Sequence, residues 1–189
     1  MKKTVLFFMT LLLLSACGNS QQKQAQTEAA DSTAVKAATM TDSTEIKAKD
    51  EIVGIINDLY AAEARNEADI DGQFACHAWR EMVAAVNEKD KDVEEIGFFN
   101  DDYWTVMQDS NPDDLEARDI LFEQLDVEKG TAMVSFTLYS SVQTIHQKFA
   151  FCREDGDWRV HDIIRIYGDP DGEEDSFSFM DAMQNYIEE

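Results

Sequence analysis

Gly130-Thr-Ala-Met-Val-Ser-Phe-Thr-Leu-Tyr139 opens the stretch whose reading decides the fold. Val134, Phe136 and Leu138 alternate with Ser135, Thr137 and Tyr139, the period-two signature of a half-buried strand. A second run, 144–153, puts Ile145, Phe149 and Phe151 on one face and His146, Lys148 and Cys152 on the other. Glu154-Asp155-Gly156 then turns the chain, because Gly accepts the positive φ of a tight hairpin. In the third run, 157–166, Trp158, Val160, Ile164 and Ile166 share one face, and Arg159, His161, Ile163 and Arg165 the other. An earlier strand is expected over 120–127, turning at Glu128-Lys129-Gly130, which makes a meander of about four antiparallel strands. Asp162 falls on the apolar side of its run and calls for a bulge or a partner for its carboxylate.

Outward from the meander, the N-terminus reads as an address. Met1-Lys2-Lys3 precedes an apolar run over 5–14, which is too short to span a bilayer. It ends in Leu14-Ser15-Ala16-Cys17-Gly18, which resembles the lipobox of bacterial lipoproteins. The resemblance implies a signal peptide over 1–16, lipidation of Cys17 and anchorage in the cell envelope as a membrane-held lipoprotein, periplasmic or at the outer membrane. Residues 18–42 are Gln, Ala, Thr, Ser and Lys with few large apolar side chains, so 17–45 is expected to be a disordered tether, and 46–189 one globular domain.

The chain carries a formal net charge of −23. Loss of 1–16 removes Lys2 and Lys3 and no acid, taking the balance to −25. That disfavours nucleic acid and anionic lipid surfaces and leaves a small molecule or a basic protein as the partner to expect. Cys76 and Cys152 are the two thiols not claimed by lipidation. In an oxidising compartment they are either a disulfide or two buried free thiols. The geometry expected is that a helix covering the aromatic sheet face would leave them on opposite sides of the sheet.

Ile52, Ile55, Ile56, Leu59 and Tyr60 mark a helix over 46–68, broken at Asp69-Ile70-Asp71-Gly72. Phe74, Ala78, Met82, Ala85 and Val86 mark a second over 73–86. An aromatic stretch without clean period follows over 96–109, then Ser110-Asn111-Pro112-Asp113-Asp114, the pattern of a capped helical turn. A loop over 168–175 leads to Ser178 and Asp181, which approximate a capping box, and Phe179, Met183, Tyr186 and Ile187 make the last helix amphipathic.

Two segments carry a family resemblance. Glu154-Asp-Gly-Asp-Trp158-Arg-Val-His-Asp-Ile163 is similar to a hairpin common among nuclear transport factor two-like, cystatin-like domains. Asp102-Tyr103-Trp104 with Gln108-Asp109 is similar to an acidic-aromatic segment in a branch of bacterial secreted lipoproteins within that superfamily. The likeness covers about 52–166. It implies an α+β fold, a curved antiparallel sheet packed against N-terminal helices with a C-terminal helix. It implies no one activity, since such folds host isomerases, dehydratases, transport factors and accessory domains.

Tyr103, Trp104, Gln108 and Asp109 are candidates to line a pocket, as aromatics with convergent polar groups do. Arg159, His161 and Arg165, with His146 and Lys148, are expected to form a basic sheet face able to hold an anion or a protein. Tyr139 joins Tyr103 and Asp109 as an acid–base candidate for an isomerase- or dehydratase-like enzyme. No closely spaced Cys/His motif gathers His146, His161 and Cys152, so no metal is expected. The 169–175 acids miss the EF-hand register, and no nucleophile elbow, P-loop or dinucleotide motif occurs, so no cofactor is expected. The leading expectation is a non-catalytic, envelope-tethered accessory or binding domain; the alternatives are that enzyme, or an inhibitor of a basic envelope enzyme such as a lysozyme.

Overall fold

The computed structural model describes residues 28–64, 67–93, 97–99, 102–105, 114–141, 143–168 and 175–189; in the first helix, side chains are described over 43–63. The chain divides into two units, Met1–Ala37 and Ala38–Glu189. Helix α1 runs Glu28–Ala64, beginning well before the apolar stripe that marked it in the sequence. The stripe reports where side chains pack, whereas the Ala, Glu and Lys ahead of it favour helix on propensity alone. The stretch read as a tether therefore overlaps α1 from Glu28, and residues 17–27, Cys17 among them, lie outside the described residues.

The meander forms as the alternation dictates. Strands β1 (Glu116–Asp126), β2 (Thr131–Tyr139), β3 (Thr144–Glu154), β4 (Asp157–Tyr167) and β5 (Asp175–Ser178) make one curved, unclosed antiparallel sheet in the order β1-β2-β3-β4-β5. The β3–β4 turn has positive φ at both Asp155 and Gly156, the conformation whose twist matches a hairpin. The fifth strand was not expected. It is short and polar, and it forms because Asp175 to Ser178 pair with Tyr167 to Ile164.

One extra residue changes the facing of β4. Phe151 pairs with Val160, and Ala150 pairs with Asp162, leaving His161 as a bulge. Beyond it the alternation is shifted by one: Ile163, not Ile164, pairs with Phe149 and is buried, and Ile164 pairs with Lys148. Arg165 is carried onto the helix-covered face opposite Gln147. Asp162 gains both remedies that its position required, because its carboxylate accepts from Ser178 Oγ at 2.7 Å and the Met180 N–H at 3.0 Å.

Helices cover the aromatic face. The breaker at 69–72 is itself a short helix, α2 (Ile70–Phe74), capped by Asp69, which accepts from the Gly72 N–H at 3.1 Å. Helix α3 (His77–Asp90) buries Trp79, Val83 and Val86, and α4 (Phe179–Glu188) buries Phe179 and Met183, with Ser178 accepting from the Asp181 N–H as its cap. Ile52, Ile56, Leu59 and Tyr60 of α1 complete the core around Phe149. No helix of the described residues is long and apolar enough to cross a membrane.

Candidate functional site

Among the described residues, side chains fill the aromatic face where the pocket is expected. Tyr103 Oη donates to Asp71 Oδ2 at 2.5 Å, and Trp104 Nε1 donates to Asp71 Oδ1 at 3.0 Å. Gln147 Nε2 donates to Tyr60 Oη at 2.9 Å, and Tyr60 Oη donates to the Trp104 carbonyl at 3.4 Å. Edge-to-face and tilted rings of Trp79, Trp104, Phe136 and Phe149 fill the space between. Burial raises the Tyr103 hydroxyl pKa, and the Asp71 carboxylate raises it further, so Tyr103 stays a donor. Burial raises Asp71, against the hydrogen bonds from Tyr103 and Trp104. Burial, with Asp102 and Asp71 nearby, pushes Glu63 up to about 7. Asp71 is the anchor of this cluster, and nothing in its turn-like sequence context signalled that role. Gln108 and Asp109 lie outside the described residues.

The expected basic face loses Arg165, and its other members have separate partners. Arg165 lies over the Phe179 ring, 4.5 Å from its centroid, and donates to the Asp102 carbonyl at 3.5 Å on the helix side. Arg159 donates to the Gln73 carbonyl and stands 3.9 Å from Asp157. Lys148 pairs with Glu123 at 3.0 Å. His146 Nδ1 is 3.1 Å from Thr137 Oγ1. The bulge is the physical reason for the loss of Arg165, which it sends to the helix-covered face while Lys148 stays on the other. The Tyr139 ring lies beneath the Arg118 guanidinium, 4.7 Å from it.

His161 belongs to a different constellation. Cys76 precedes α3 as its N-cap, its Sγ accepting from the Trp79 N–H at 3.5 Å. Ala75 bridges to Val160, and the Cys76 N–H donates to the Val160 carbonyl at 2.8 Å, so this segment runs along the part of β4 that β5 does not cover. That edge position corrects the geometric expectation. The helices do cover the aromatic face, yet Cys76 reaches round the edge to the side that holds Cys152. Both thiols are free, and their sulfurs lie with a His161 ring nitrogen in one group within 4.8 Å. Cys76 Sγ is 3.4 Å from His161 Nδ1. Burial alone would raise the Cys76 thiol, but His161 and the Trp79 N–H outweigh it and hold the thiol below its ordinary value. The Cys76 contact raises His161. Burial, with Cys76 next, pushes Cys152 up to about 12. The sequence separations between residue 76 and residues 152 and 161 hid this group from any motif.

The face of the sheet that the helices leave open carries a cleft of about 350 Å³. Ser135, Thr137, His146 and Lys148 line its floor, with Asp119, Leu121, Glu123 and Ile166 around them. Leu121 is 62% exposed, a large apolar side chain beside polar neighbours. A second cleft, about 360 Å³, lies between α1, α2 and the β3–β4 hairpin, near Asp58, Gln73 and Arg159. Comparison with known proteins gives no match to this chain among family models, curated proteins or solved structures.

Proposed function

We propose that the chain is an envelope-tethered lipoprotein whose domain is a non-catalytic binding module, and that it binds through the open face of the sheet. The observation that carries this reading is the contrast between the two faces. The helix-covered face, where an enzyme of the resembled superfamily would hold substrate, is filled by Tyr60, Trp79, Trp104 and Phe149. The open face has the volume of a small-ligand site and mixes Thr137, His146 and Lys148 with the exposed Leu121. The acid–base alternative gains no support from Tyr103 and Tyr139, since the Tyr103 hydroxyl is engaged by Asp71 and the Tyr139 ring lies under Arg118.

The test is a fragment screen of the full chain carrying Cys17→Ala, followed by backbone amide NMR. Shift perturbations are expected to cluster at 121–123, 135–137 and 146–148, and Thr137→Val with Lys148→Ala should remove them. Perturbations confined to the α1–α2 cleft, or none with any fragment, would overturn the assignment of the binding face.

A further inference from the structure

We infer that Cys76, Cys152 and His161 form a binding site for a thiophilic d10 metal cation, with zinc as the test ion. The donors are two sulfurs and one imidazole nitrogen, all within 4.8 Å of one another. Two ligands of one tetrahedral zinc, at bond lengths of about 2.3 Å to sulfur and 2.0–2.1 Å to nitrogen, stand roughly 3.5 Å apart. Cys76 Sγ and His161 Nδ1 are 3.4 Å apart. A thiol–imidazole hydrogen bond alone would give a similar distance; the third donor, Cys152, is what turns a pair into a ligand set.

Each donor is held by a separate structural device. Cys76 is pinned by the Ala75–Val160 bridge and by its capping of α3. His161 is the extra residue of the β4 bulge, and bulges commonly re-aim a side chain in this way. Cys152 sits in the regular part of β3, opposite Arg159. The Trp79 N–H on Cys76 Sγ is the kind of outer hydrogen bond that orients a thiolate ligand. Glu154, whose carboxylate accepts from the His77 N–H at 3.0 Å, acts electrostatically on Cys152 and adds negative charge beside the group. Cys152 and His161 are only partly buried, which leaves a path for the ion and a fourth position for water. Binding converts two thiols to thiolates and releases their protons to solvent. A Cys76–Cys152 disulfide is the competing fate of the same sulfurs, and it would give His161 no role.

The experiment uses the full chain with Cys17→Ala, so that Cys76 and Cys152 are its only thiols, reduced and kept free of oxygen. Titration with Co²⁺ should produce the thiolate-to-metal absorption of a tetrahedral site, saturating at one equivalent, and Zn²⁺ should displace it. Cys76→Ser, Cys152→Ser and His161→Gln should each weaken binding by about tenfold or more, while His77→Ala leaves it unchanged. Zinc should also slow alkylation of both thiols in the chain with no further substitution, a readout independent of how any variant folds. The inference is overturned if no thiolate-to-cobalt band forms, if the band survives Cys152→Ser and His161→Gln, or if zinc leaves the alkylation rate unchanged.

Discussion

Glu63 shows how one residue links the aromatic core to pH. Its carboxyl is pushed to about 7 by burial and by Asp102 and Asp71, from an ordinary value of 4.5. A carboxyl raised in the folded state binds its proton more tightly there than in the unfolded chain. Below about 4.5 both states are protonated and the group costs nothing; between about 4.5 and 7 the folded state alone holds the proton, so stability falls as pH rises; above 7 the loss is complete. The size of that loss is on the order of 1–2 kcal/mol once its partial exposure is discounted for screening. Asp71 and Asp162 slope the same way, since burial raises both, so the contribution is read by difference. Glu63→Gln should be more stable than the parent at pH 8 and level with it near pH 4.5. Urea midpoints that run parallel at every pH would show that Glu63 is fully solvated.

At the level of elements, the β4–α4 junction is where one carboxylate does the joining. Asp162 accepts from Ser178, the cap of α4, and from the Met180 N–H in its first turn. Asp162→Ala leaves both donors without this acceptor in a largely buried place, at a cost of about 1–3 kcal/mol. Asp162→Asn keeps an acceptor for the Met180 N–H and should lose less than half as much. Amide exchange in α4 should accelerate in the Ala variant; a denaturant midpoint unchanged within about 0.5 kcal/mol would deny the joint. The same junction marks what the sequence could and could not disclose. Val134, Phe149, Phe151 and Trp158 announced the strands and their buried face because alternation is local, and Asp155-Gly156 announced the turn because positive φ is local. The bulge at His161 is one unmarked residue, and its effect on Ile163 and Arg165 appears only against a paired strand. Strand β5 has no apolar rhythm of its own and exists by pairing with β4. The Cys76–Cys152–His161 group depends on an edge contact between Ala75 and Val160, which no spacing encodes.

For the whole molecule, the proposed envelope address makes a claim about which forces hold it at a membrane. The described helices include none able to span one. The formal charge of −23, or −25 once residues 1–16 are gone, repels an anionic lipid surface at any distance the salt does not screen. Lys and Arg number 16 against 39 acids, too few for an electrostatic foothold unless they gather, and Lys148, Arg159 and Arg165 point to separate partners. The proposed lipoprotein reading places the attachment instead in acyl chains on Cys17. Two or more acyl chains bury enough methylene to hold a protein stably, at about 0.8 kcal/mol for each methylene. Cys17→Ala should therefore move the protein out of the membrane fraction or leave it as an unprocessed precursor. On the same reading high salt should not release the unsubstituted protein, because an acyl attachment is apolar. If Cys17→Ala fractionates like the parent, or if salt alone strips the parent from the membrane, the lipid anchor is not what holds it.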